Sequence, residues 1–137
     1  MTRFMISLEQ GVELVWHAFD DMVGGEIYVK KISSMKVTTI ADVTRPGARQ
    51  TIVGIRPGEK LHEQRIGIED GPVTFEHRDH YKILPNINSW SESQERIKDG
   101  KPAPEGFVYS SDTNSDWMAA SELVAWIDTN REKIGRI

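Results

Sequence analysis

Seven apolar residues near the start of the chain follow one another at helical spacing and form one stripe along a predicted helix. Ser7 precedes the stripe, and Gln10 lies three residues after Ser7, which is the spacing of a capping box. Gly24-Gly25 is predicted to end the helix. The stripe comprises Leu8, Val12, Val15, Trp16, Phe19, Met22 and Val23.

A strand and a second helix are predicted next. Apolar and polar residues alternate over Glu26–Lys30, which indicates a strand. Either Thr38 or Thr39 is expected to cap a short helix that runs through Val43 and is closed by Pro46-Gly47.

The second half of the chain is less regular. Short strands are predicted over Val73–Glu76 and His80–Leu84, and a brief one over Phe107–Tyr109. The range 85–104 is rich in polar residues, Gly and Pro, and is predicted to be a long loop. From Ala119 a final helix is expected, with one apolar face formed by Leu123, Trp126, Ile127 and Ile134.

These elements indicate an α/β fold in one compact domain. We divide it into an α/β core over residues 1–84, a polar loop over 85–106 and a C-terminal extension over 107–137. The 137 residues are 38% hydrophobic and 28% charged, as in ordinary globular proteins. A net charge of −4 gives no reason to expect a nucleic-acid partner. The absence of cysteine excludes disulfides, and without a long apolar run we expect a cytoplasmic protein that does not enter the membrane.

The most informative segment follows a strand predicted over Gln50–Ile55. Arg56 and Glu59 flank a Pro-Gly pair, which is typical of a tight turn because proline restricts its own φ and glycine tolerates positive φ. A guanidinium can fork onto phosphate oxygens, and a carboxylate can accept hydrogen bonds from hydroxyls. The pair therefore suits a nucleoside diphosphate. The alternative is a solvated ion pair on a surface turn.

Four separated segments resemble one known family in the same order. They are Met1–Val12 (MTRFMISLEQGV), Gly24–Val37 (GGEIYV, then SMKV), Gly54–Glu63 (GIRPGEKLHE) and Tyr109–Met118 (YSSDTN, then WM). Together they are similar to the CapD-like extended short-chain dehydrogenase/reductases, and in particular to the inverting UDP-N-acetylglucosamine 4,6-dehydratases. The chain resembles their C-terminal, substrate-binding part.

The resemblance implies a small substrate-binding domain that lacks the Rossmann domain. The chain contains no Gly-rich dinucleotide fingerprint and no Tyr-x-x-x-Lys, so no catalytic residue of the family and no cofactor is expected in it; NADP is expected for full-length members. By the same resemblance, Arg3 and Arg56 would bind the diphosphate of a UDP-sugar, and Glu59 would accept from a ribose hydroxyl. Expected partners are the missing Rossmann domain and further copies of the chain.

Other interpretations remain open from the sequence. The chain could be a free-standing sugar-nucleotide-binding module, or an assembly piece whose apolar faces make oligomer contacts. Lys60, His62 and Glu63 could do acid–base chemistry, although no partner that would orient His62 is evident. His77 to His80 could bind zinc if the segment were helical. Trp90, in the polar loop, is the tryptophan expected to be exposed.

Overall fold

This computed structural model describes residues 1–87 and 93–134 of the chain. They form two units, each built from segments that are distant in sequence. Unit 1 comprises Met1–Met5, Ser33–Glu63 and the chain from Ser111 onward, and unit 2 comprises Ile6–Ile32 and Gln64–Ser110. The three consecutive ranges drawn from the sequence stay a prediction as a division into domains.

Unit 1 contains a two-stranded antiparallel sheet and two helices. Strand β1 (Thr2–Phe4) pairs with β3 (Ser34–Lys36), and Arg3 lies opposite Met35. Helix α2 (Val37–Thr44) packs against α4 (Ala120–Ile134). The buried apolar side chains of the unit are Phe4, Met35 and Leu123.

Unit 2 is built on a four-stranded antiparallel sheet with the strand order β2-β6-β5-β7. The strands are β2 (Ile27–Lys30), β5 (Thr74–Glu76), β6 (His80–Ile83) and β7 (Lys101–Pro102). Helix α1 (Leu8–Asp21) contacts β2, and α3 (Gln94–Ile97) adds Ile97 to a small core with Phe75 and Leu84. A separate antiparallel pair joins β4 (Gln64–Ile66) to β8 (Tyr109–Ser110).

The predicted mixture of helices and strands is confirmed, since helices and antiparallel sheets occur in both units. Among the strands named in the described ranges every pairing is antiparallel, so these residues form no doubly wound parallel sheet. No helix in the described part of the chain combines the length and apolar character needed to cross a membrane.

Helix α1 begins as predicted. The Ser7 side chain accepts from the Gln10 backbone N–H at 3.2 Å, and the Gln10 side chain accepts from the Ser7 N–H at 3.0 Å. The helix ends earlier than expected, at Asp21, and Met22 is already extended. The reason is local: the Glu26 carboxylate accepts from the Gly24 N–H at 2.7 Å, so the chain turns around that side chain.

The apolar stripe of α1 lies on its exposed side. Leu8 is 82% exposed and Trp16 is 66% exposed, and the other members of the stripe are also exposed. The half-buried residues of the helix include Gly11, Leu14 and Ala18, which lie on a different side from the stripe. The periodicity thus identified the helix correctly, but the chain leaves its larger apolar face open to solvent.

Several local predictions were wrong. The strand predicted over residues 50–55 does not form, and Ile52 is 98% exposed. A strand needs a hydrogen-bonded neighbour, and none pairs with this range among the described residues. Helix α2 starts at Val37, and its N-cap residue, Lys36, makes no side-chain cap. Residues 85–104 contain α3 and β7 as well as loop, while Trp90 lies outside the described residues. The last short strand begins at Tyr109, two residues later than predicted.

Candidate functional site

The turn at Arg56 forms as its sequence predicts. The Glu59 N–H donates to the Arg56 carbonyl at 3.0 Å, and Gly58 has a φ of 81°. Proline at the second position and a positive φ at the third are the signature of a type II turn. The Arg56 N–H in turn donates to the Glu59 carboxylate at 3.1 Å. These reciprocal bonds close the turn, and they hold the two residues in a defined relation.

Both side chains of the turn are accessible. Arg56 and Glu59 are exposed, and no hydrogen bond or ion pair engages the Arg56 guanidinium among residues 1–87 and 93–134. Glu59 uses one carboxylate oxygen within the turn. The arrangement therefore presents a forked cation and a carboxylate oxygen to solvent, which is what recognition of a phosphate beside a hydroxyl requires.

Arg3 lies within the same unit but is already engaged by the protein. Its Nη1 donates to the carbonyl oxygens of Thr2, at 2.7 Å, and Leu61, at 3.3 Å, and its Nη2 donates to the Lys60 carbonyl at 3.1 Å. Its Nε lies 3.9 Å from a carboxylate oxygen of Glu63. Arg3 is therefore an ordered strand residue that holds the segment just after the Arg56 turn, with one Nη2 hydrogen left for another partner.

His62 has orienting partners that sequence reasoning missed. Its Nδ1 lies 2.8 Å from the Thr2 hydroxyl oxygen, which lies 2.7 Å from the Ser111 hydroxyl oxygen. The Ser111 oxygen accepts from the Glu63 N–H at 2.9 Å, and the Ser111 N–H donates to the Glu63 carbonyl at 2.8 Å. These residues come together across 60 and 109 positions of the chain. The only sequence signal was that Thr2, His62 and Ser111 each lie in a segment that resembles the family.

Glu63 holds the C-terminal end of the segment that follows the Arg56 turn. Its carboxylate accepts from the Phe4 N–H at 3.0 Å, on the edge of β1. The Thr2 N–H donates to the Leu61 carbonyl at 3.0 Å on the same edge. Residues 61–63 are therefore hydrogen-bonded along β1. The exposed Arg56 turn is followed directly by this ordered segment.

The segment from His77 to His80 is not helical, so the condition attached to a zinc site there is not met. His77 and His80 lie at the β5–β6 hairpin, where their rings stack in parallel with centroids 4.5 Å apart. Each Nδ1 pairs with a carboxylate, of Asp99 for His77 and of Asp79 for His80. A Cβ placed on Gly100 would lie 2.7 Å from His77 Nε2, so a side chain at position 100 would collide with the imidazole ring. No cluster of three or more candidate ligand residues occurs in the described part of the chain.

Burial is the largest influence on the pKa of His80. It lowers the pKa of His80, with further lowering by the nearby His77, and the bond to Asp79 only partly offsets it. The hydrogen bond from His80 in turn lowers the pKa of Asp79 to about 2. The neutral form of His80 is therefore the one that the folded chain favours.

A buried ion-pair cluster lies in unit 2, between α1 and the sheet. The Lys82 ammonium is almost completely buried, pairs with the Asp21 carboxylate and donates to the Arg96 carbonyl at 3.0 Å. Asp21 also accepts from Tyr28 at 2.6 Å and from Lys98 at 2.5 Å. Burial raises the pKa of the Asp21 carboxyl, but the bonds from the two lysines and Tyr28 outweigh it and hold that pKa well below its usual range.

The cluster continues through a second buried pair. The Arg96 guanidinium donates to the Glu26 carboxylate and to the Gly24 carbonyl, both at 2.5 Å. Every charged group of the cluster thus has an opposite charge or a hydrogen-bonding partner, which is typical of a structural network.

Comparison with known proteins identifies the family. A family model described as polysaccharide biosynthesis protein matches residues 1–85, which include the Arg56 turn and the bound segment after it. The chain belongs to this polysaccharide biosynthesis family. The match contains three of the four segments on which the family resemblance was based.

Individual relatives agree with that assignment. An inverting UDP-N-acetylglucosamine 4,6-dehydratase from Campylobacter jejuni subsp. jejuni is 42% identical over 135 residues, which is 90% of this chain and 39% of the relative. A UDP-glucose 4-epimerase from Rickettsia rickettsii is 32% identical over 87 residues, which is 61% of this chain and 26% of the relative. The resemblance to the dehydratase family is confirmed.

A solved structure shares the fold. The X-ray structure of Pen from Bacillus thuringiensis superimposes with a TM-score of 0.77 at 25% identity, covering 96% of this chain and 39% of that chain. The family member described here therefore spans about two fifths of the length of the dehydratase and of the structure that it resembles.

Proposed function

We propose that this chain supplies the UDP-sugar contacts of a nucleotide-sugar 4,6-dehydratase in surface polysaccharide or glycan biosynthesis. The Tyr-x-x-x-Lys pair and the residues that bind NADP would lie outside this chain. The chain would be inert by itself. UDP-N-acetylglucosamine is the proposed substrate, because the similar Campylobacter proteins are named as dehydratases of UDP-N-acetylglucosamine.

The observation that carries the proposal is the geometry of the Arg56 turn. Arg56 would bind the diphosphate with its unengaged guanidinium, and Glu59 would accept from a ribose hydroxyl with the oxygen not used in the turn. Arg3 would contribute its remaining Nη2 hydrogen to the diphosphate while it holds residues 60 and 61. Because the turn is closed by its own hydrogen bonds, its backbone and the Glu59 carboxylate need little reorganisation on binding.

The test is a titration of the purified chain with UDP-N-acetylglucosamine, UDP and inorganic pyrophosphate, followed by calorimetry. Arg56→Ala should weaken the binding of each of the three ligands by about 1.5–3 kcal/mol, the range for a hydrogen bond to a charged group. Arg49→Ala is the matched control, because Arg49 is an exposed arginine of the same unit. Equal affinity of Arg56→Ala and wild type would remove Arg56 from the site.

Glu59 should show a different selectivity. Glu59→Gln should weaken the binding of UDP but leave the binding of pyrophosphate unchanged, because only UDP carries a ribose. Equal losses for both ligands would show that the variant disturbs the turn and would argue against a ribose contact.

An assembly role is a second candidate function, favoured by the exposed apolar face of α1. Large contiguous apolar patches on soluble proteins commonly mark interaction sites. This role would be supported by self-association of a chain that fails to bind any of the three ligands.

A further inference from the structure

A chain of hydrogen bonds runs from a buried hydroxyl to an accessible imidazole in unit 1. Ser111 is fully buried and Thr2 is 5% exposed, whereas the His62 ring is half-buried. The three side chains lie in series, with Thr2 between the other two. None of them has been assigned a role in the proposed site.

The direction of these hydrogen bonds follows from the donors available. The Ser111 oxygen already accepts from the Glu63 N–H, and the hydroxyl hydrogen of Ser111 needs an acceptor because the residue has no access to water. Among the described residues the acceptor in reach is the Thr2 oxygen, 2.7 Å away. The Thr2 hydroxyl hydrogen is then directed to His62 Nδ1, 2.8 Å away.

The tautomer of His62 is a consequence of that direction. A neutral imidazole has one donor and one acceptor nitrogen, so an Nδ1 that accepts from Thr2 places the proton on Nε2. Within residues 1–87 and 93–134 no hydrogen bond engages Nε2. His62 thus presents an N–H donor on the segment that continues from the Arg56 turn and that Arg3 fastens to β1.

We propose that His62 is a further ligand-binding residue, whose Nε2–H donates to a phosphate oxygen of the nucleotide held by Arg56, and that Thr2 and Ser111 are positioning residues that fix this tautomer. The inference rests on the proposed function. Its chemistry is that of a neutral donor facing an anionic acceptor, which adds both affinity and orientation to the contact made by the guanidinium.

The first experiment measures the tautomer without any ligand. Histidine ring 15N shifts of the labelled chain, recorded at a pH where His62 is neutral, should show the Nε2–H form. Thr2→Val removes the hydroxyl at nearly constant volume and should populate both tautomers, and Ser111→Ala should do so more weakly. An Nδ1–H tautomer in the wild type would overturn the proposed direction.

The second experiment measures binding of UDP and of inorganic pyrophosphate. His62→Phe should weaken both ligands about tenfold, and His62→Gln should restore most of the affinity because its amide N–H can occupy the place of Nε2–H. Backbone amide shifts of β1 and β3 check that each variant keeps the fold of unit 1.

The outcomes separate this inference from the proposed function. UDP binding that Arg56→Ala abolishes and His62→Phe leaves intact would overturn the role of His62 alone. Failure of the wild type to bind UDP at millimolar concentration would overturn both proposals. A loss confined to UDP, with pyrophosphate unaffected, would place the acceptor on the nucleoside and refute the phosphate contact.

Discussion

Replacing Lys82 by methionine should strongly destabilise unit 2. Methionine fills nearly the same volume, so the variant leaves no cavity and tests the charge itself. The substitution removes the ion pair with Asp21 and the 3.0 Å bond to the Arg96 carbonyl. It also removes an ammonium that lies 5.2 Å from the centre of the Tyr28 ring.

The expected cost follows from what is left behind. Removing one partner of a buried ion pair typically costs about 3–5 kcal/mol, because the other charge stays buried. Here Asp21 keeps its bonds from Tyr28 and Lys98, and the variant no longer desolvates an ammonium. We therefore expect a loss of about 2–4 kcal/mol in the free energy of unfolding.

The assay is urea denaturation followed by circular dichroism, with amide exchange in β2 and β6 to locate the loss. Lys98→Met is the matched control, because Lys98 binds the same carboxylate from the protein surface and should cost much less. The reasoning fails if Lys82→Met is as stable as the wild type, or if the control loses as much.

The pH dependence gives a second check on the same pair. The folded pKa of Asp21 lies below its ordinary value of 3.8, so the pair contributes its full stability above about pH 4 and loses it as the pH falls further. The stability difference between the wild type and Lys82→Met should therefore shrink between pH 7 and pH 3. A constant difference would show that the charge of Asp21 does not account for the loss of stability in the variant.

Three further predictions concern other parts of the chain. Burial lowers the folded pKa of His80 below its ordinary 6.5. The contribution of His80 to stability is therefore present above pH 6.5 and is lost as the pH falls from 6.5 toward the folded pKa. Denaturation at pH 7 and at pH 5 measures this loss. Equal stability at both values in the wild type would contradict this. The exposed stripe of α1 should make the chain self-associate; sedimentation should show smaller species for Trp16→Glu but not for Glu13→Ala, and a monomeric wild type would refute it. Gly58 and Gly47 both have positive φ with open space around them, so alanine at either should cost about 1–2 kcal/mol. Only Gly58→Ala should also weaken the binding of UDP. Equal losses of UDP affinity in Gly58→Ala and Gly47→Ala would exclude a specific role for the turn.

The sequence by itself determined the features that close within a few residues. The cap of α1 joins Ser7 to Gln10, and the Arg56 turn joins residues three apart, so the information for each lies in one short stretch. The family resemblance depends on such short segments in order, and it was confirmed. The three proposed substrate-binding residues, Arg3, Arg56 and Glu59, stay predictions.

Only the tertiary structure decided which distant groups meet. Residues Gln50–Ile55 have the composition of a strand, yet they have no partner among the described residues and form none. Thr2–Phe4 is a strand because Ser34–Lys36 lies beside it. His62 acquires its orientation from the Thr2 hydroxyl, 60 positions away in the chain. Thr2 is itself bonded to the Ser111 hydroxyl, which is 109 positions from Thr2. Strand pairing and buried hydrogen bonds depend on the position of a partner elsewhere in the chain, and residue type alone does not specify that position.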